Sequence, residues 1–374
     1  MTHQTVNGRV RVERTVYWSK STGTVTPTDR WLGIDRHRFS PGVREMCSRL
    51  SLDSSFDRAS GHLRRTAQLS LSDETLRRLV EAEGQSVLAS QRSGQLPPSF
   101  TAADCTDGVL VTGTDGVMVP LVPETQKAKR RKTEAIKRAR KGRRSTRRPG
   151  RPKTGGDGEY KEFKVLLFYD PDKSHQHVVA TSGDCEALGR LMRREASWLR
   201  LNEAKAKYAV SDGAVWIERQ YRIQLPMLDE HILDYYHLRS HVHDVSGVLY
   251  GEGTKKAVAW NETMMTAVWD HGSLVMLDRL EPYVRRHRGE KRAALRSLKD
   301  YVARRVRMTD YPAFRATGYD CGSGPTESQC GTLTERLKGA GMRWDADNAE
   351  SMMALVALHH SNLWGLYWKQ QRAA

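Results

Sequence analysis

Between Lys127 and Lys153 the chain carries fifteen lysines and arginines against a single acid, Glu134. A segment with a net charge of +14 and few apolar side chains cannot enter a hydrophobic core. The fold must therefore be built from the sequence on either side of it. The whole chain has 374 residues and a net charge of +17, which leaves only +3 for everything else. Such a block repels itself, and it is expected to be extended or disordered until a polyanion neutralises it. Nucleic acid fits that role better than a membrane surface, because the block has little apolar surface with which to anchor.

No apolar run approaches the ~18 residues of a membrane-spanning helix, and the N-terminus lacks the apolar core of a signal peptide. A soluble, cytoplasmic protein is the expectation. The five cysteines, Cys47, Cys105, Cys185, Cys321 and Cys330, are odd in number and scattered. That spacing argues against a disulfide framework and a thiolate zinc site, and for reduced structural thiols.

Residues 1–40 read as short strands or irregular structure. From Pro41 to about Gly84 the apolar spacing is helical, with Val43, Met46, Cys47 and Leu50 on one face. A second helix is expected over Ser54–Ala67 and a third after the capping run at Ser70, with Leu76, Leu79 and Val80 inward and Arg77 and Arg78 outward. Three short helices with a polar break fit either a helix-turn-helix DNA reader or a small bundle that merely packs. Gln91–Asp104 has the composition of a linker. Beyond it come a strand at Gly108–Pro120, the basic block, a hairpin with arms Phe163–Tyr169 and Gln176–Ala180, and a helix over 184–206. A strand at Tyr208–Ser211, a helix at Ala214–Arg222 and a strand at His231–Tyr236 follow. This alternation predicts an α/β fold with a mixed five-stranded sheet flanked by helices. His237 to about Met308 is helical throughout, and further helices start near Pro325 and Asn348.

Two acids stand where acids are costly. Asp115 lies inside an apolar strand, and Asp212 lies just past the end of another. If the first and fourth strands are neighbours, their carboxylates converge. Glu327, in Gly322-Ser-Gly-Pro-Thr-Glu327-Ser, would open a helix near them. Three carboxylates of this kind suit Mg²⁺, and two such ions can activate the attacking oxygen and neutralise the leaving one in phosphoryl transfer. Mn²⁺ has a similar taste for oxygen ligands. Asp234 competes with Asp212 for the second position.

The ordered series Asp115–Pro120, Ser211–Ile217, Leu233–Leu238, Gly322–Ser328 and Arg336–Trp344 resembles the DDE transposases of Kra-type bacterial insertion sequences. The resemblance spans roughly residue 105 to the end, and the helical stretch near 43–84 also looks like that family's N-terminal region. It implies an RNase H-like core, a helical insertion before the last catalytic helix, and the triad Asp115, Asp212 and Glu327 holding two Mg²⁺. It also implies double-stranded DNA partners, both element ends and target, bound by a homodimer or larger assembly near the nucleoid. The expected domains are 1–100 for the N-terminal module and 105–240 for the first part of the core, including a basic arm at 124–158. The insertion would take 241–320 and the C-terminal catalytic helices 321–374. Members of the family often carry a cysteine pair near the N-terminus; here the stretch reads Val16-Tyr-Trp-Ser-Lys20.

Other residues carry open readings. Arg147, Arg148, Arg151 and Lys153 form either an AT-hook-like minor-groove reader or a generic basic linker. Lys338, eleven residues after Glu327, can share a helix face with it and meet a phosphate, or be simply solvated. Arg336 lies off that face. His237 and His241 have a metal-compatible spacing but no clear third ligand, which favours a structural or DNA-facing role. Trp260, Trp269 and Tyr250 are core residues or, for one of them, a base-stacking platform. Two further functions compete with the transposase: a catalytically silent DNA-binding regulator derived from one, and a simple RNase H-like nuclease. The nuclease leaves the insertion and the basic arm unexplained.

Overall fold

The computed structural model describes residues 2–31, 34, 38–140, 156, 158–340 and 342–373. Two hairpins open the chain, β1 (Thr2–Thr5) with β2 (Gly8–Arg11) and β3 (Tyr17–Ser19) with β4 (Gly23–Val25), followed by the short helix α1 (Pro27–Trp31). Then come α2 (Pro41–Leu52), α3 (Phe56–Thr66), α4 (Asp73–Arg92), β5 (Val109–Pro120) and α5 (Glu124–Arg140). The middle of the chain holds β6 (Tyr160–Tyr169), β7 (Gln176–Thr181), α6 (Cys185–Trp198), β8 (Ala206–Ser211), α7 (Val215–Gln224) and β9 (Glu230–Leu233). Helices complete it: α8 (Tyr235–Tyr250), α9 (Lys255–His271), α10 (Ser273–Arg286), α11 (Gly289–Ala303), α12 (Tyr311–Ala316), α13 (Gly324–Glu335), α14 (Ala346–His360) and α15 (Trp364–Ala373).

These elements fall into two compact units that alternate along the chain. One is made of Met1–Ser99, Val117–Phe163 and Gly331–Ala374, the other of Phe100–Gly116 and Lys164–Cys330.

In the first unit α2, α3 and α4 each start at a serine, Ser40, Ser55 and Ser72, whose hydroxyl accepts from an amide three residues on. Helix α4 is not short. It runs 20 residues, through the glycine expected to end it and into the stretch read as linker. The reason is packing: Val80 and Val87 continue the buried stripe begun by Leu76, and Gly84 faces another helix. A Cβ there would stand 2.7 Å from the Ser351 carbonyl oxygen, so α4 and α14 cross backbone to backbone. Helix α14 is buried on every side from Asn348 to Leu358, which makes it the centre of this unit. Beside it a buried ion pair joins Arg44 to Glu83 at 3.0 Å. The Tyr367 hydroxyl donates to Glu83 at 2.6 Å. Burial nevertheless pushes the Glu83 carboxyl up, with Arg44 opposing.

Part of the basic block also departs from expectation. Glu124–Arg140 is helical rather than extended. Lys, Arg, Ala and Glu are good helix formers, Arg131 pairs with Glu124, and Lys127 reaches Asp345 at 2.5 Å. These offset enough of the repulsion to let a helix form.

The second unit holds most of a five-stranded mixed sheet in the order β7-β6-β5-β8-β9. The hairpin β6–β7 is antiparallel, while β5–β8 and β8–β9 are parallel. Helices α6 and α7 cover one face, where Leu188, Met192, Ile217 and Tyr221 close a core over Leu110, Leu166, Phe168 and Ala209. Helix α6 stops at Trp198, short of the expected 206, because Arg200 turns left-handed at φ 53° and starts a single 3₁₀ turn. Strand β9 is also shorter than expected. It ends at Leu233, because Asp234 caps α8 through the His237 amide and commits the following residues to a helix. Helices α8 to α11 pack on one another in succession, and α11 returns to α8. Among the described residues no helix is long and apolar enough to cross a membrane.

Candidate active site

Strands β5 and β8 are neighbours and parallel, with Gly113 opposite Val210. Asp115, inside β5, lies two residues beyond Gly113, and Asp212, just past the end of β8, lies two residues beyond Val210, so the two acids stand at the same level on adjacent strands. Strand alternation then fixes the face of Asp115. Thr114 points to the α7 side, where its hydroxyl meets the Tyr221 hydroxyl at 2.9 Å. Gly113, on the same face as Asp115, points the other way. A Cβ on Gly113 would fall 1.8 Å from Thr326 Oγ1, so the first turn of α13 lies directly against β5. Thr326 is buried, and its hydroxyl has no hydrogen-bond partner among the described residues. Glu327 is the next residue. It is exposed, and its Oε1 accepts from the Ser323 hydroxyl at 3.0 Å.

Asp115 feels the other two acids. Burial pushes the Asp115 carboxyl up from its ordinary value, and the charges of Asp212 and Glu327 push it further. The Gly116 amide, donating to Asp115 Oδ1 at 2.6 Å, and the Cys330 thiol work in the opposite direction. Cys330 is three residues after Glu327 and so lies on the same side of α13. A divalent cation would relieve this repulsion, and three hard carboxylates are a donor set that suits Mg²⁺. Among the described residues, however, no three His, Cys, Asp or Glu side chains stand as a closed metal-binding group.

Asp212 sits in a braced turn. Its Oδ1 accepts from the Ala214 amide at 2.8 Å, and its main-chain carbonyl accepts from the Tyr301 hydroxyl at 3.2 Å. Gly213 is left-handed at φ +74°, and its carbonyl accepts from Arg305 Nη2 at 2.7 Å. Asp234 is differently employed. It is buried, and its two carboxylate oxygens accept from the amides of His237 and Ser323. That makes it a structural cap joining β9 to the loop before α13, and leaves Asp212 as the more open acid.

His237 and His241 meet edge to face at 4.9 Å, and His241 packs on Tyr301 at 4.3 Å. Burial lowers the His241 pKa. Trp260 is buried, and Trp269 packs between Tyr235, Tyr311 and the Arg315 guanidinium. Tyr250 is half-buried. The well-exposed aromatic of the helical segment is instead Tyr236, at 65%.

The basic residues fare unevenly. Arg77 is paired to Glu74 at 2.8 Å and to Glu81 at 2.6 Å, and Arg78 to Glu74 at 2.6 Å. Hydrogen bonding from Arg77, then from Arg78, holds the Glu74 carboxyl down at about 2. Arg147, Arg148, Arg151 and Lys153 lie outside the described residues. Helix α13 ends at Glu335, so Lys338 sits exposed in the turn beyond it and not on a shared face with Glu327. Arg336 is buried, over the rings of Phe56 and Trp344 at 4.8 and 5.0 Å.

Sequence reasoning missed Gly113, Thr326, Cys330, Tyr301 and Arg305. A glycine inside an apolar strand signals close approach of another backbone or ligand, so Gly113 was findable. Arg305, beside Arg304 and near Arg307, looks like one more solvated cation.

The model of an uncharacterised protein family, UPF0236, matches residues 1–148. That stretch contains Asp115 but neither Asp212 nor Glu327. No curated protein matches the chain. Among solved structures, the Drosophila P element transposase strand transfer complex is similar at 11% identity and a TM-score of 0.39, over 88% of this chain and 94% of that one. That overlap is loose, and it assigns neither a fold nor a residue role.

Proposed function

We propose that the chain is a DNA transposase of the DDE type, similar to those of Kra-type insertion sequences, with an RNase H-like core. The observation that carries this is the placement of Asp115 and Asp212 at the same level on the neighbouring parallel strands β5 and β8, with the first turn of α13, which bears Glu327, packed against β5 at Gly113. A half-buried Asp115 that feels the charges of Asp212 and Glu327 supports a cationic occupant for this place. Asp115, Asp212 and Glu327 would hold two Mg²⁺, with Mn²⁺ as a substitute. Bound there, the metal supplies charge neutralisation at the attacking and leaving oxygens.

In this reading a water oxygen bonds to phosphorus at an element end, and the P–O3′ bond breaks to leave a free 3′-hydroxyl. That hydroxyl then bonds to a target phosphorus and displaces the target's own 3′ oxygen, which takes up the proton. Asp212 and Asp115, fixed at the same level on adjacent strands, set the position of the scissile phosphate, and Glu327 closes the site from α13. Helix α5 and the basic residues after it supply phosphate contacts on double-stranded DNA. Helices α2 to α4 form the candidate helix-turn-helix module, although Arg77 and Arg78 must first exchange their glutamates for DNA. Two element ends call for a homodimer or larger assembly.

The test is strand cleavage of duplexes copied from the DNA flanking the gene, with and without Mg²⁺. Wild type should nick and join, and Asp212→Asn should fold and bind DNA with cleavage reduced by more than about 100-fold. Loss of a direct ligand should exceed the ~10–100-fold cost of losing a supporting partner. Cleavage retained in Asp212→Asn would remove Asp212 from the ligand set. DNA binding with no metal-dependent cleavage by wild type would leave the silent regulator as the function.

A further inference from the structure

The Asp212 turn is held from about ninety residues downstream by two side chains that the proposed chemistry does not use. Arg305 is 7% exposed, yet every part of its guanidinium is engaged. Nη2 donates to the Gly213 carbonyl at 2.7 Å, Nε donates to Glu218 Oε1 at 2.7 Å, and Nη1 donates to the Tyr301 carbonyl at 3.2 Å. The same group lies over the Tyr301 ring at 4.1 Å. Tyr301 in turn donates its hydroxyl to the Asp212 carbonyl at 3.2 Å. Gly213 leaves no slack: it is left-handed, and a Cβ would fall 2.6 Å from Leu233 Cδ1 and 2.9 Å from Arg305 Nε.

The geometry points to Arg305, acting with Tyr301, as the positioning residue for Asp212. The helical segment then does more than fill space between β9 and α13. It reaches back and fixes the carboxylate that must face the metal. Only a planar fork with several donors bridges Glu218, Gly213 and Tyr301 at once, and a lysine ammonium offers a single point of charge.

This inference rests on the proposed role of Asp212 as a ligand, so the experiment separates the two. Four variants of the full chain are compared with wild type: Arg305→Lys, Tyr301→Phe, Asp212→Asn and, as a control, the exposed neighbour Arg304→Lys. Each is assayed for urea stability, for Mn²⁺ binding by calorimetry without DNA, and for the Mn²⁺ dependence of cleavage. Arg305→Lys should weaken Mn²⁺ binding and lower cleavage at limiting metal by about 10–100-fold, with partial recovery at high metal. Tyr301→Phe should shift the same two readouts in the same direction by a smaller factor. Arg304→Lys should match wild type. If Asp212→Asn abolishes metal binding while both Arg305→Lys and Tyr301→Phe bind Mn²⁺ like wild type, the positioning role is overturned and the site stands. If Asp212→Asn binds metal normally, the site itself is wrong. Should Arg305→Lys fail to fold, an unchanged Mn²⁺ affinity in Tyr301→Phe overturns the inference.

Discussion

Asp115 is a half-buried carboxyl among like charges, and the sign of its shift fixes a pH dependence. Its folded pKa is raised, so the folded state keeps the proton to higher pH than the unfolded chain does. The stability associated with that proton is complete below the ordinary aspartate value near ~3.9 and is lost as pH rises through the raised value. Without divalent metal, Asp115→Asn should therefore be more stable than wild type at neutral pH, and the gap should close toward pH ~3. Adding Mg²⁺ should raise the melting temperature of wild type and leave that of Asp115→Asn nearly unchanged. Thermal melts across pH, with and without metal, decide the matter. An Asn variant less stable than wild type at pH 7 would mean that the acid is anchored rather than strained. Gly113 makes a sharper constraint, since even alanine there collides with Thr326. The contact between β5 and α13 is thus set by two residues that carry no charge and look unremarkable in sequence, Gly113 and Thr326.

Helices α4 and α14 meet at Gly84, where a Cβ would approach the Ser351 carbonyl to 2.7 Å. Gly84→Ala gains about 1 kcal/mol of helix propensity but forces two backbones apart, an overpacking cost of about 1–3 kcal/mol. The net should be destabilising, read as a lower urea midpoint with unchanged slope. A higher midpoint would show that the crossing can relax. Helix α5 makes a different prediction. It carries eight lysines and arginines against two glutamates, so replacing four of the former with glutamine should flatten the dependence of DNA affinity on salt. Each phosphate contact contributes a slope of about −0.9 on duplex DNA, and an unchanged slope would move the DNA footprint elsewhere. These elements also show what the sequence could carry. Strand β5, the β6–β7 hairpin and the approximate starts of α2 to α4 were legible because apolar runs, turn residues and serines ahead of a helix are local signals. The length of α4 and the helix at α5 were not, because each depends on partners distant in the chain, Ser351 for one and Asp345 for the other. Asp115 and Asp212 could be read as misplaced acids, whereas the Arg305 brace comes from pairings that leave no local pattern.

At the scale of the whole chain, the separation of the three acids in sequence is the price of bringing β5, β8 and α13 to one place. The positions of Asp115 and Asp212 followed from reading strands in order. The division into two units did not, because helices α2 to α4 share a unit with α14 and α15, which no local pattern announces. That alternation has a consequence for a broken chain. A cut near Gly150 would leave one fragment with α4 and β5 and another with α14 and β8. Helix α4 packs on α14 within one unit, and β5 pairs with β8 within the other, so each unit would be stitched from both fragments. Residues 1–148 and 149–374, expressed separately and mixed, should therefore associate and regain metal-dependent cleavage that neither shows alone, with Asp115 contributed by one polypeptide and Asp212 and Glu327 by the other. Gel filtration of the mixture and a cleavage assay would show it, and fragments that stay apart would mean that covalent continuity is needed to assemble the fold. The protein would then behave as two complementary halves, in which catalytic competence belongs to the pair and to neither polypeptide.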